Sequence, residues 1–270
     1  MKPLLLSIIL LLGTSSVTAE IALSGKPQPG AVLFGKARPG SKITLNDKEV
    51  LVSAEGLFVV GFGRDASGSQ ELKETHPDGN TSLQIILATR TYNIERVDGL
   101  PPSKVSPVKA EVLARIKREG AKVTAARTRR DLQRTDYTNG FIWPVKGRLS
   151  GFYGSQRVLN GIPKRPHYGL DIAAPTGTAV KSPAAGVVTL AEADLYYSGG
   201  TIIIDHGQGL SSSFLHLSKV SVTPGQRIEQ AEIIGQVGAT GRASGPHLDW
   251  RMNWLDQRVD PLPLLPQQSE

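Results

Sequence analysis

The amino-acid sequence predicts a mainly β protein, in which a small β-sandwich-like domain and a basic helical linker precede a C-terminal β-sheet domain. Short apolar runs, separated by turns rich in Gly, Pro, Asn and Asp, recur through residues 20–98 and are typical of strands. A single stretch, residues 108–132, has apolar residues at helical spacing. From Phe141 onward, strand-like runs alternate again with Gly and Pro turns, and no helical pattern of any length remains.

Residues 1–19 have the layout of a secretory signal peptide. Lys2 supplies positive charge, Leu4 to Leu12 form a short apolar run, and small residues up to Ala19 form a cleavage site. The apolar run is shorter than the roughly 20 residues that a transmembrane helix needs. We therefore expect cleavage after Ala19 and a periplasmic or secreted protein without a stable membrane anchor. The chain contains no Cys, so we expect its cores alone to stabilise it in that compartment.

Residues 20–98 are expected to form the first domain, and nothing in this stretch indicates catalysis. Its short strands, separated by regularly spaced turns, favour a small sandwich. His76 stands in the sequence Thr-His-Pro-Asp-Gly and is interpreted as a turn residue.

Residues 99–137 combine a proline-stiffened linker with a basic helix. Val112, Ile116 and Val123 fall near one face of this helix. The basic residues on its other faces are Lys109, Arg115, Lys117, Arg118, Lys122, Arg127, Arg129 and Arg130. The favoured interpretation is a solvated helix packed on one of the domains, since charge runs are usually solvated faces; the alternative is a basic surface for an anionic polymer or a protein partner.

The net charge of +7 also suits an anionic polymer as partner. Nucleic acid is the obvious rival, but no nucleic-acid motif is present and the signal peptide directs the chain out of the cytoplasm. We therefore expect no nucleic-acid partner.

Three short clusters in the C-terminal domain carry the side chains that metal chemistry needs. They contain His167 with Asp171, then His216, then His247 with Asp249. Imidazole and carboxylate both offer lone pairs to a divalent metal at neutral pH. In an extended segment, residues two or four apart point to the same face. The pattern therefore predicts one concave site with two carboxylates and three imidazoles, which is enough for a hydrolytic zinc centre.

The run from about Trp143 to Pro261 closely resembles the M23 (LytM/lysostaphin-type) zinc metallopeptidase domain, whose members cut peptide bonds in peptidoglycan. The matching phrases are Ser150-Gly-Phe-Tyr-Gly, His167-Tyr-Gly-Leu-Asp171-Ile-Ala-Ala-Pro-Thr-Gly-Thr, Ala185-Gly-Val-Val, Ile202-Ile-Ile-Asp-His-Gly, Phe214-Leu-His216-Leu-Ser, Pro224-Gly-Gln and Thr240-Gly-Arg-Ala-Ser-Gly-Pro-His247. The resemblance implies an antiparallel β-sheet peptidase domain, here residues 138–264. The Pro-, Gln- and Ser-rich composition after it predicts a flexible tail at 265–270.

The same resemblance implies the role of each site residue. His167 and Asp171 match zinc ligands, while His216 and His247 match the pair that orients water and stabilises the oxyanion. The family pattern ends in a second His of H-x-H, and this chain has Asp249 at that position. His206 and Asp205, at a strand end, are interpreted as structural turn residues.

Asp249 leaves two interpretations open. A carboxylate is a competent zinc ligand, and a carboxylate-rich site also suits harder ions such as Mn²⁺. Alternatively, Asp249 pairs with Arg251, two residues on and on the same strand face, and the site is degenerate.

These two interpretations lead to two functions. The leading expectation is an exported zinc metalloendopeptidase acting on peptidoglycan through metal ligands His167, Asp171 and Asp249, with His216 and His247 as catalytic residues. The alternative is a catalytically degenerate regulator of the same fold, which binds the wall or activates a cell-wall amidase.

Overall fold

The computed structural model describes residues 21–267, apart from residues 129, 130 and 132. The expected signal peptide, residues 1–19, and the last residues of the expected tail, 268–270, lie outside the described residues. Within the described ranges, every helix is too short or too polar to cross a lipid bilayer.

The first part of the described chain is built from short β-strands, as predicted. These strands are β1 (Ala22–Ser24), β2 (Val32–Lys36), β3 (Lys42–Leu45), β4 (Lys48–Val50), β5 (Leu57–Gly61), β6 (Ser69–Thr75), β7 (Thr81–Ile86) and β8 (Ile94–Val97). Strands β1, β2 and β5 form one antiparallel sheet, while β4, β3, β6 and β7 form a second. Apolar side chains from both sheets, among them Leu33, Ile43, Phe58 and Leu72, are fully buried in one core.

Two helices follow, α1 (Pro102–Val105) and α2 (Ala110–Arg127). A helix is thus present within the predicted stretch 108–132, but it ends at Arg127 with Thr128 as its C-cap. Its core-facing stripe is the predicted one, with Val112, Ile116 and Val123 partly buried. Near its end α2 packs Ala126 and Val123 against apolar residues of the C-terminal sheet. The favoured interpretation, a helix packed on a domain with its charged faces outward, agrees with this position.

The C-terminal part contains a large antiparallel sheet. The elements of this C-terminal part are β9 (Arg148–Gly151), β10 (Gln156–Leu159), β11 (Ile162–Pro163), β12 (Leu170–Ala173), β13 (Ala179–Lys181), β14 (Gly186–Leu195), β15 (Gly199–Asp205), β16 (Leu210–Leu217), β17 (Lys219–Val220), β18 (Arg227–Ile228), β19 (Ile233–Gln236), β20 (His247–Trp254), β21 (Gln257–Val259) and a 3₁₀ turn (Leu262–Leu264). The large sheet has the order β18-β14-β15-β16-β20-β12-β9, and β21 pairs with β20. The mainly β fold predicted from the sequence is confirmed.

Strand β8 pairs in parallel with β10, so the segment before the helices is attached to the C-terminal part. The two parts also share one continuous hydrophobic core. At their junction, Phe34 stacks on Tyr137 with ring centroids 5.2 Å apart. Arg90 Nη2 lies 2.5 Å from Asp260 Oδ2 in a largely buried ion pair. These contacts hold β8 and the helices in fixed positions beside the large sheet.

Replacing Gly120 by Ala is expected to stabilise the protein by about 0.5–1 kcal/mol, because Gly is a poor helix former and nothing lies within 4 Å of a Cβ added there. Gly35→Ala is the opposite case, since its Cβ would lie 2.1 Å from the ring of Phe58, directly across β2 and β5. Such overpacking is expected to cost about 1–3 kcal/mol. Urea unfolding measures both changes, and shifts of the same sign would contradict this account of the two positions.

Candidate metal centre

Three of the predicted site residues meet at one point of the large sheet. His167 immediately precedes β12, Asp171 lies in β12, and Asp249 lies in β20. One nitrogen or oxygen of each side chain lies within 4.8 Å of the others. His167 Nε2 is 3.2 Å from Asp171 Oδ1. All three residues are buried.

The strand register explains why the two carboxylates are neighbours. Strands β12 and β20 are antiparallel, with Asp171 directly opposite Asp249 and Ile172 directly opposite Leu248. Ile172 and Leu248 are both fully buried in the hydrophobic core. Because side chains alternate between the two faces of a strand, burying this apolar pair on one face places the carboxylates together on the other.

Two glycines make room for the carboxylates. A Cβ added at Gly151 would lie 2.4 Å from Asp171 Oδ2, and one added at Gly169 would lie 2.3 Å from Asp249 Oδ1. Neither glycine has the positive φ of a left-handed residue, so the requirement is for space. Any larger residue at these positions would displace a carboxylate from the cluster.

Several buried polar atoms of the cluster have no hydrogen-bond partner. They are both ring nitrogens of His167 and Oδ1 of Asp171, of which Nε2 and Oδ1 make an ion-pair contact at 3.2 Å with each other. Buried polar groups are rarely left without a hydrogen bond, because each unsatisfied group costs about 1–3 kcal/mol. One nitrogen of a neutral imidazole carries a lone pair, and together with the two carboxylates it fits a divalent cation such as Zn²⁺.

Two arginines hold the carboxylates in place. Arg251 binds Asp249 through Nε and Nη2, with Nη2 at 2.5 Å from Oδ2. Arg157 Nη2 donates to Asp171 Oδ2 at 2.7 Å. Burial alone raises the pKa of Asp249, but Arg251, through its charge and its hydrogen bonds, holds that pKa well below its ordinary value. The predicted Asp249–Arg251 pair therefore exists, and it forms alongside the cluster with His167 and Asp171.

His216 and His247 complete the group, with ring centroids 4.8 Å apart. Nδ1 of His216 lies 2.8 Å from the carbonyl oxygen of Thr240, and Nδ1 of His247 lies 2.8 Å from that of Gly245. Since a carbonyl oxygen only accepts, these Nδ1 atoms carry the protons and the Nε2 lone pairs are left for the site. His247 Nε2 lies 3.8 Å from Asp171 Oδ1.

The backbone at His216 is strained. Its φ is +66°, in the left-handed region that non-glycine residues seldom adopt. The backbone amide of His216 donates to the Ser198 carbonyl, next to a register shift between β15 and β16. Burial lowers the pKa of His216 to about 4, so its ring is neutral at neutral pH.

The site opens into a cleft of about 240 Å³. Its walls come from β8 and the segment after it, from strands β9, β10, β12 and β16, and from the start of β20 with the loop before it. The lining residues are Glu95, Arg96, Val97, Leu100, Ser150, Arg157, Leu159, Asp171, His216, Arg242, Ser244 and His247. Sequence reasoning missed Arg157 and Glu95, because neither stands in a recognisable motif and only tertiary contacts bring them to the cleft.

The other two His residues lie away from the cluster. His206 is buried, with Nδ1 at 2.6 Å from the Ala185 carbonyl oxygen and Nε2 at 2.8 Å from Ser212 Oγ. Asp205 Oδ1 accepts the Gly207 amide proton at 3.0 Å, as expected of a turn residue. Nδ1 of His76 accepts the amide proton of Asp78 at 3.1 Å. Both His residues act structurally in this fold.

The C-terminal part of the chain matches a known protein family. Residues 165–261 match peptidase family M23. The crystal structure of a protein from Pseudomonas aeruginosa, assigned to peptidase M23, is 35% identical, with a TM-score of 0.68, and the match covers 89% of this chain and 95% of that one. This likeness extends through both parts of the chain.

Two curated relatives match over the C-terminal part. The peptidoglycan DD-endopeptidase ShyA of Vibrio cholerae is 39% identical over 114 residues, which is 41% of this chain and 26% of ShyA. The cell division protein DipM of Caulobacter vibrioides is 33% identical over 132 residues, 47% of this chain and 21% of DipM. The match therefore spans about a quarter of the length of each of these relatives.

Removing Arg251 is expected to destabilise the fold far more than removing an exposed arginine. Arg251→Met leaves the buried Asp249 carboxylate without its main cation, and breaking such a pair costs about 3–5 kcal/mol. Arg227, paired with Asp136 at 2.8 Å but half exposed, is the control, and Arg227→Met is expected to cost under about 1 kcal/mol.

The double variant Asp249→Asn/Arg251→Met is expected to recover most of the lost stability, since it removes the unpaired charge. Urea unfolding of EDTA-treated protein measures all four forms. Equal losses in the single and double variants would show that the pair contributes through packing and not through charge.

Proposed function

Because the chain belongs to peptidase family M23, we propose that it is an exported, zinc-dependent endopeptidase that hydrolyses peptide bonds of peptidoglycan. The observation that carries the proposal is the buried cluster of His167, Asp171 and Asp249, in which one nitrogen or oxygen of each side chain lies within 4.8 Å of the others. The relative named as a peptidoglycan DD-endopeptidase, ShyA, supports the same substrate class. The basic net charge of +7 favours association with an anionic wall polymer.

In this proposal His167, Asp171 and Asp249 hold the divalent metal. A bound Zn²⁺ polarises a carbonyl oxygen and lowers the pKa of water. Arg251 and Arg157 fix the orientation of the two carboxylates through the hydrogen bonds described above. Outer partners of this kind align ligands and tune their basicity. The charge on Arg251 also offsets the carboxylate that stands where the family pattern has a neutral His.

His216 and His247 are proposed to move protons and stabilise charge. Each donates its Nδ1 proton to a backbone carbonyl, so each presents a basic Nε2 to the cleft. A neutral imidazole accepts a proton from the attacking water. The resulting imidazolium then donates a hydrogen bond to the developing oxyanion or a proton to the leaving amine. The backbone contacts hold both rings in position before substrate arrives.

A regulator without hydrolytic activity is the second candidate, and the Asp249–Arg251 pair favours it. If the guanidinium occupies the ligand side of Asp249 permanently, the cluster is a structural ion-pair network. The protein would then bind the wall or activate a cell-wall amidase through its cleft and basic surface. One relative, DipM, is named for cell division and not for an enzymatic activity. Metal content of the purified protein distinguishes the two candidates.

We expect the native protein to contain one equivalent of zinc and His167→Ala to contain almost none. His76→Ala is the matched control, since His76 lies on an exposed turn. Inductively coupled plasma mass spectrometry after gel filtration gives the stoichiometry. Equal metal in native protein and His167→Ala, or none in either, would refute the assigned ligand set.

We expect His216→Ala and His247→Ala each to reduce the hydrolysis rate by about 10²–10³, the usual loss when one such donor is removed. Both variants should keep nearly all of their zinc, since neither residue is an assigned ligand. Release of soluble peptides from purified peptidoglycan, measured beside metal content, tests the assignment. Loss of metal in both variants would show that the ligands and the catalytic pair are assigned wrongly.

Asp249→His is expected to tighten zinc binding and to move the alkaline limit of activity to lower pH. One carboxylate fewer around the ion leaves it more electrophilic, which lowers the pKa of water at the site. In the regulator alternative, only Asp249→His combined with Arg251→Met recruits zinc. Zinc titration of the three proteins decides: uptake by the double variant alone would overturn the enzyme and leave the regulator.

A further inference from the structure

The face of the large sheet that carries the metal cluster continues beyond it. Along β20, Asp249, Arg251 and Asn253 alternate onto this face, and β16 places Ser213 opposite Arg251. The last turn of α2 covers this part of the sheet, where Arg127 Nη2 donates to Ser213 Oγ at 3.0 Å. Between α2, β20 and β21 lies a pocket of about 260 Å³, lined by Thr124, Arg127, Thr128, Asn253, Leu255, Asp256 and Arg258. We refer to it as the arginine pocket.

The arginine pocket holds positive charge that the described residues leave uncompensated. Nε of Arg127 is buried and has no hydrogen-bond partner. The hydrogen bonds described for Arg127 and Arg258 go to neutral acceptors, Ser213 Oγ and Asn253 Oδ1. Neither arginine forms an ion pair with any carboxylate in the described ranges. The acidic lining residue, Asp256, is exposed and accepts a hydrogen bond from Gln257.

Burial and neighbouring guanidinium groups disfavour the charge on both arginines. Burial first, and then the charges of Arg258 and Arg251, hold the pKa of Arg127 well below its ordinary value. Burial and Arg251 lower the pKa of Arg258 to about 10. A buried charge without a counter-charge is costly, and removing that cost favours uptake of an anion.

The donors in the pocket select an oxyanion. Guanidinium groups bind carboxylate and phosphate through paired N–H donors, and such charge-assisted bonds are the strong ones. The Asn253 amide and the Thr124 hydroxyl also line the pocket. Asn253 lies four residues beyond Asp249 on β20, a separation of about 13 Å at the usual rise of a strand. The pocket thus lies about four extended residues from the cluster.

We propose that the arginine pocket is an oxyanion-binding site that holds a carboxylate of a peptide. The oxyanion site is inferred from the pocket alone. The choice of a peptide as the source of the carboxylate rests on the proposed peptidase function. Free phosphate has the same chemistry, so the experiment compares the two sources. The pocket lies toward the opposite end of β20 from His247 and thereby adds a selectivity determinant there.

Calorimetric titration of EDTA-treated protein with inorganic phosphate tests the oxyanion site. We expect saturable binding that is weakened by about tenfold or more in Arg127→Gln and in Arg258→Gln, because each change removes one charge-assisted contact. Arg115→Gln is the matched control on the same helix, since Arg115 is paired with Glu119 and Asp194, and it should bind as the native protein does. Circular dichroism checks that each variant is folded. Binding that is absent, or equal in native protein and both pocket variants, overturns the site.

Competition identifies the source of the oxyanion. Tetra-alanine with a free carboxylate is expected to displace phosphate, while its C-terminal amide is not. Phosphate binding that the free peptide leaves unchanged overturns the peptide assignment. Since these titrations use metal-free protein and no bond is cut, a lack of peptidase activity does not alter their outcome, and the two proposals fail separately.

Discussion

The register that sets Asp171 directly opposite Asp249 is the constraint on which the rest of this site depends. Like charges facing each other across two strands are destabilising, and burial strengthens their repulsion. The fold compensates with cations from two directions, Arg157 on one carboxylate and Arg251 on the other. His167 lies beside both, and one of its buried nitrogens offers a lone pair to a cation. The positions of Arg157, Arg251 and His167 thus follow from the need to offset the negative charge of one pair of buried carboxylates.

The hydrophobic core fixes this register. Ile172 and Leu248 face the core from the same two strands, and a slip of one residue would exchange them with the carboxylates. The cluster is therefore as rigid as the core behind it. The same alternation extends the polar face along β20 to Arg251 and Asn253, where α2 packs over the sheet and forms the arginine pocket. One side of the sheet accordingly combines the proposed metal ligands with an excess of arginine.

The sequence predicted the residues of the cluster well but not their surroundings. His167, Asp171, His216, His247 and Asp249 stand in short local patterns, and two-residue spacing on strands indicates which of them share a face. Even the Asp249–Arg251 pair follows from that spacing. Arg157, Glu95 and the arginine pocket could not be predicted, because they depend on the pairing of β8 with β10 and on the docking of α2. Such contacts join residues far apart in the chain and leave no periodic signal.

The Asp249–Arg251 pair does not by itself exclude a metal. Each carboxylate oxygen has two lone pairs, so a carboxylate that accepts from a guanidinium retains sites for a cation. In a purely structural ion-pair network, every buried polar atom should find a partner, as both nitrogens of His206 do. His167 departs from this rule, since its Nδ1 is buried without a partner and its Nε2 makes only the 3.2 Å ion-pair contact with Asp171 Oδ1. A network built only of Arg and Asp has no need of that imidazole, whereas a metal centre does. The unsatisfied His167 therefore favours the enzyme over the regulator, and Arg251 is best understood as the residue that makes a carboxylate tolerable at that position.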